Sequence, residues 1–141
     1  MQTETKSIAA IVVELAAQGA DAGRIADIAI STWQGVYAAL SRIIGHRGIA
    51  ALYKRSLYLT RADYPWLTAE HEDGLEPGKF TALHTALLQQ TSSNAAAAHV
   101  ALLQIFHDLL VSLIGASLSE RLLRSVWDKH STGLAAQDST Q

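Results

Sequence analysis

The sequence predicts an all-α fold, a six-helix bundle made of two similar three-helix halves. Three features carry this expectation. Alanine is the commonest residue and only two of the 141 residues are proline, a composition that favours helices because alanine loses no side-chain entropy in one. Apolar residues recur at helical spacing in successive stretches. One stretch of the second half also repeats a stretch of the first at an offset of 70 residues. With 49% hydrophobic residues the chain is long enough for one core and too short for two independent domains.

The first helix is expected from about Glu4 to Gln18, with Ile8, Ile11, Val12 and Leu15 on one stripe and Gly19 placed to end it. Asp21 caps a long second helix that runs to Ile44, where Gly45 supplies the stop. A third helix restarts near Arg47, carries Ile49, Leu52, Tyr53 and Leu57 inward, and fades before Pro65. The proline- and glycine-bearing connection follows, with Trp66 and Leu67 pinning it to the core. A fourth helix spans about Lys79 to Thr91 and a fifth about Asn94 to Ile114. The sixth runs from about Leu118 to Lys129, with Ser117 and Glu120 spaced as a capping box. The result is a single helical domain over residues 1–130, with halves at about 4–62 and 78–129, a connection at 63–77 and a flexible tail at 131–141.

The internal repeat rests on matched residues. At an offset of 70, Leu40 meets Leu110, Ile44 meets Ile114, Gly45 meets Gly115 and Leu52 meets Leu122. Ile43 and Leu113, Tyr53 and Leu123, and Lys54 and Arg124 are similar pairs. Each half then reads as short helix, long helix, glycine corner, short helix. The second and fifth helices are apolar nearly all round, which marks them as the central pair and leaves surface for a homodimer contact.

Several classes of chemistry lack their residues. Without cysteine there are no disulfides, thiolate nucleophiles or cysteine-ligated metals. The apolar run at Ile8–Val13 is broken by Glu14 and is too short for a signal peptide or a membrane span, so a cytoplasmic protein with no membrane partner is expected. No serine-histidine-aspartate context, Walker loop or dinucleotide fingerprint is present, and no cofactor is expected. Glu14 and Asp27 map to solvent faces, so no metal site is expected either.

Two constellations remain. Between Gln34 and Arg61 the chain holds Arg42, Arg47, Lys54, Arg55 and Arg61 and no acid, whereas Asp63, Glu70, Glu72, Asp73 and Glu76 follow directly. On a helical wheel Arg47, Lys54, Tyr58 and Arg61 fall within about 60° of one another, a basic stripe fit to meet an acidic partner or a phosphate backbone. The second is an interior pocket. His84 and His99 are expected to point inward beside Phe106, Trp33 and Tyr37, where they would hold a small ligand between the halves.

The phrase IIGHRGIAAL resembles the glycine-loop signature of KH domains, in which a GxxG loop between two helices grips single-stranded nucleic acid. No flanking run alternates with period two as the strands of that fold require, and the second corner has Leu118 where Gly48 stands in the first. His107-Asp108 is similar to the histidine of helical phosphotransfer modules but lacks the lysine-glycine pair that follows it there. IIGHRGIAALYKRSLYL, YPWL and SLIGASLSERLLRSVW together resemble an uncharacterised group of small bacterial helical proteins, which implies a bacterial, helical, free-standing protein and no particular activity. The expected role is a non-catalytic regulatory or adaptor protein in bacterial signalling, a homodimer acting through protein contacts. A small-ligand sensor is the alternative, and nucleic-acid binding through the basic stripe is the third reading.

Overall fold

The computed structural model describes residues 12–67 and 80–126, and these are helical with no strand among them. The helices are α1 (12–17), α2 (Ala22–Thr60), α3 (Thr81–Leu88), α4 (Ser92–Ile114) and α5 (116–126). The expected count of six is thereby corrected to five among the described residues, because the expected second and third helices form one element kinked at Gly45. The start of the first helix, the acidic part of the connection and the tail lie outside the described residues.

α1 ends as the glycine predicts. Gly19 has φ 97°, and Ala20 N–H donates to the Leu15 carbonyl at 2.9 Å, satisfying an orphan carbonyl of the last turn. Asp21 then caps α2 by accepting from Arg24 N–H at 2.9 Å. Thr91 does the same for α4, accepting from Asn94 N–H at 3.1 Å. α3 has no side-chain cap; Phe80, 4% exposed, holds its start by packing against Trp33 and Tyr53.

Inside α2, Gly45 has φ 72° and ψ 169°, which divides the helix into two arms. Gly115, at the end of α4, has φ 91° and ψ 158°. Both lie in a region that only glycine occupies freely, and neither has a neighbour within 4 Å of where a Cβ would stand. Backbone conformation, not crowding, is what requires glycine at these corners. The capping box expected at Ser117 and Glu120 is corrected, because α5 starts earlier. Ser119 N–H and hydroxyl both donate to the Gly115 carbonyl, and Glu120 pairs with Arg124 at 3.0 Å.

The path of the chain follows from a few contacts. Phe80 meets Trp33, His84 meets Asp27, and a Cβ on Gly23 would stand 3.7 Å from Leu88, so α3 runs antiparallel to the first arm of α2. A short turn at residues 89–91 reverses the chain into α4, whose Phe106 lies edge-on to Trp33 at 5.0 Å between ring centres. The first arm of α2 and α4 are therefore parallel. Gly45 comes twelve residues after Trp33 and Gly115 nine after Phe106, so at 1.5 Å per residue the corners share one end of the bundle, offset by roughly 5 Å.

The core forms around Trp33, whose ring also meets Tyr53 at 5.3 Å. Ile25, Ala29, Val36 and Leu40 of α2 and Leu102, Leu103 and Leu110 of α4 are at most 2% exposed. Each fully buried valine, leucine or isoleucine side chain among them contributes about 1.5–3 kcal/mol. Most of the apolar face on which a homodimer was expected is covered within one chain, and Ile43 and Leu113 at its end stay exposed. Leu67 is wholly buried and Trp66 packs against the core, so this end of the connection is pinned as expected. By length and composition α4 could cross a membrane; here it packs along α2 and buries His99 and His107.

Candidate interaction surface

After Gly45 the second arm of α2 buries Ile49, Tyr53, Ser56, Leu57 and Thr60. That inward stripe fixes what the opposite side presents. Arg47, Lys54, Arg55 and Tyr58 are exposed and Arg61 is half-buried, and no acid lies on this arm. Ser56 and Thr60 on the inner side return their hydroxyls to the carbonyls of Leu52 and Ser56, at 2.7 and 2.6 Å, so these buried polar groups are satisfied.

Tyr58 is the centre of the surface. Its ring is 57% exposed, with the Arg55 guanidinium carbon 5.4 Å and the Arg61 guanidinium carbon 5.8 Å from the ring centre. Both distances are within cation–π range. An arginine lying over a ring keeps its planar fork of N–H donors at the ring edge, a geometry suited to carboxylates. Arg55 was absent from the four residues expected on this stripe. Its signal was the spacing Arg55-Tyr58-Arg61, three residues apart each time, which stacks side chains on one helix face.

The residues expected to line an interior pocket are distributed differently. Trp33 and Phe106 do meet, as packed core rings. Tyr37 is drawn to the first corner, where its hydroxyl lies 3.0 Å from His46 Nδ1. The inward orientation expected of His84 is corrected. Its side chain is 34% exposed and its Nε2 lies 2.9 Å from Asp27 Oδ1, joining α3 to α2 at the surface. The physical reason is the carboxylate one helix away, which the spacing within α3 could not reveal. His99 is 1% exposed, deep on α4.

His107 is the buried polar group that the sequence did not place inside. It is 1% exposed, and among the described residues neither ring nitrogen has a hydrogen-bond partner. Burial pushes its pKa below the usual imidazole range, while Asp108, 3.7 Å away, pulls the other way. Burial likewise raises the Tyr53 hydroxyl above the usual phenol range.

A cleft of about 510 Å³ opens between Gln34, Gly35 and Ala38 of α2 and Ser125 and Val126 of α5. It contains none of the residues expected for a ligand pocket. Among the described residues no group of three histidines, aspartates or glutamates is gathered in a way that could hold a metal ion. The KH-like phrase forms no gripping loop: Gly48 lies within the helix, and His46 and Arg47 belong to its first turn. No known family, curated protein or solved structure matches this chain.

Proposed function

We propose that the protein is a non-catalytic adaptor or regulator of bacterial signalling, binding an acidic segment of a partner protein along the second arm of α2. The observation that carries the reading is Tyr58, exposed between two guanidiniums on an arm without acids. Exposed aromatics and arginines are what the energetic centres of protein interfaces are made of. The net charge of −2 weighs against nucleic acid as the partner of the whole molecule.

We further propose that the two units, 22–56 and 92–126, are copies of one helix–corner–helix element. Support comes from the pattern of burial. Every position buried between 22 and 56 is buried again 70 residues later, from Ile25 and Ala95 to Ser56 and Val126. The caps at Asp21 and Thr91 and the corners at Gly45 and Gly115 keep the same offset. Under this reading the scaffold is duplicated and the basic arm belongs to one copy only.

A small-ligand sensor is the second reading, favoured by the cleft beside Gln34 and Ser125. Its volume falls within the roughly 300–1,000 Å³ of ligand sites. The experiment that separates the readings is photo-crosslinking in the producing cell with a benzophenone amino acid at position 58. The adaptor reading expects a protein adduct that Arg55→Glu/Arg61→Glu abolishes, with no adduct from a control probe at position 38. A nucleic-acid adduct, or no adduct at position 58, would sink it.

A further inference from the structure

The end of the bundle where the two corners meet carries an uncovered continuation of the core. Ile43 follows Val36 and Leu40 at helical spacing, and Leu113 follows Phe106 and Leu110. Those four predecessors are at most 1% exposed, yet Ile43 is 54% and Leu113 61% exposed. Both side chains lie on the core-facing stripe and are bare because the helices end there. Leu118, in the first turn of α5, is 37% exposed at the same end.

Within the corners themselves the charge is basic, and the flanking acids are Asp108 and Glu120, the latter paired with Arg124. Residues 40–48 include Arg42, His46 and Arg47 and no acid, and residues 110–119 contain no charged residue at all. Arg42 and Arg47 are exposed. His46 is engaged by Tyr37.

We propose that this end is a peripheral docking surface for an anionic lipid bilayer. Ile43, Leu113 and Leu118 enter the boundary between headgroups and acyl chains, and Arg42 and Arg47 meet lipid phosphates. Apolar prongs combined with basic residues supply the two signals that stable peripheral attachment requires. Three side chains at one end of the bundle make a patch far short of the ~1,000 Å² a specific protein interface buries. A bilayer needs no complementary groove. A second copy placed end to end would set Arg42 and Arg47 against their own counterparts with no acid to offset them. The lack of a membrane span at the amino end, from which no membrane partner was expected, does not bear on peripheral contact. The proposal shares Arg47 with the adaptor reading, which otherwise uses the flank of the second arm around Tyr58.

The test is vesicle co-sedimentation of the full chain, using phosphatidylcholine alone and phosphatidylcholine with about one third phosphatidylglycerol. The expected result is binding at least about tenfold tighter to the anionic vesicles, weakening with salt. Ile43→Ser/Leu113→Ser and, separately, Arg42→Glu/Arg47→Glu should each lower it about tenfold, while Leu88→Ser, 46% exposed at the opposite end, should leave it unchanged. Circular dichroism is the check that each variant keeps its helices. Equal pelleting with neutral and anionic vesicles would overturn the proposal, as would indifference to Ile43→Ser/Leu113→Ser. So would a dimer in light scattering that the same double change dissociates, with no pelleting by vesicles.

Discussion

The unit at 22–56 and the unit at 92–126 share their inner positions and part company elsewhere. Leu40 and Leu110, Ala26 and Ala96, and Tyr53 and Leu123 are all buried, and the glycine corners have nearly the same backbone angles. Outside, Arg47, Lys54 and Arg55 of the first unit stand where the second has Ser117, Arg124 and Ser125, and that arginine is paired with Glu120. Inside, Trp33 stands against Leu103 and Tyr37 against His107. The shared buried positions and glycine corners are what a helix–corner–helix element needs to fold. What differs is the outer face, which in the first unit carries the basic residues of the second arm.

The largest effect should come from breaking the interior difference. Trp33 touches Tyr53, Phe80 and Phe106, so it ties the second arm, α3 and α4 together. Trp33→Ala is expected to cost about 3–5 kcal/mol, the upper part of the range of about 2–5 kcal/mol for Leu103→Ala. Chemical denaturation of the two variants measures both. A larger loss at Leu103 would show that the centre of the core lies in the second unit.

The corners sharpen the likeness rather than the difference. Gly45→Ala and Gly115→Ala each force a side chain into the same glycine-only region, at a cost of about 1–3 kcal/mol. Equal losses are expected in thermal or denaturant unfolding. Gly48→Ala is the control. It is helical, with Ile44 Cβ 3.1 Å from the added carbon, so a helix-propensity gain of up to about 1 kcal/mol is opposed by contact. A cost at Gly48 matching that at Gly45 would mean that crowding, not backbone angle, governs the first corner.

His107 tests the other interior difference. Its folded-state pKa is lowered by burial, so below about pH 6.5, the ordinary histidine value, the unfolded chain binds the proton more readily and stability falls. Stability from the neutral ring is present above that pH and is lost as pH drops. His107→Leu removes two unpartnered nitrogens and should stabilise the fold by about 1 kcal/mol at pH 7. The gap between variant and wild type should widen from pH 7 to pH 5 in urea titrations. A gap that closes instead would place a partner on the ring.

Much of the architecture was legible in local signals. Asp21, Gly19, Gly45 and Gly115 act through their own backbone and their near neighbours, so their places read directly from the chain. Burial at Ile49, Tyr53 and Leu57 followed from period alone, and with it the outward face of Arg47, Lys54 and Tyr58. Failures came where a partner lies far along the chain. His84 has apolar neighbours in its own helix, but Asp27, 57 residues earlier, holds it at the surface. Tyr37 was expected inside and instead reaches His46 across the corner. His107 has a polar neighbour in sequence and an apolar surrounding in space, and only packing could decide between them. The capping box failed for a different reason: Gly115 already ends α4 and serves as the start of α5.

The smallest effect concerns a contact with no counterpart in the second unit. Asp27 is matched at the offset by Ala97, so the His84–Asp27 pair is an addition that ties α3 to the first unit alone. The Asp27 side chain is 75% exposed, and water and salt screen most of its attraction for an imidazole. Asp27→Asn keeps the shape and one acceptor while removing the charge. A loss of about 0–1 kcal/mol is expected, shrinking further in high salt. If α3 were held mainly by this pair, the loss would exceed that range and persist in salt. The burial of Phe80, Leu83 and Leu87 argues that apolar packing holds α3, with the histidine setting its register.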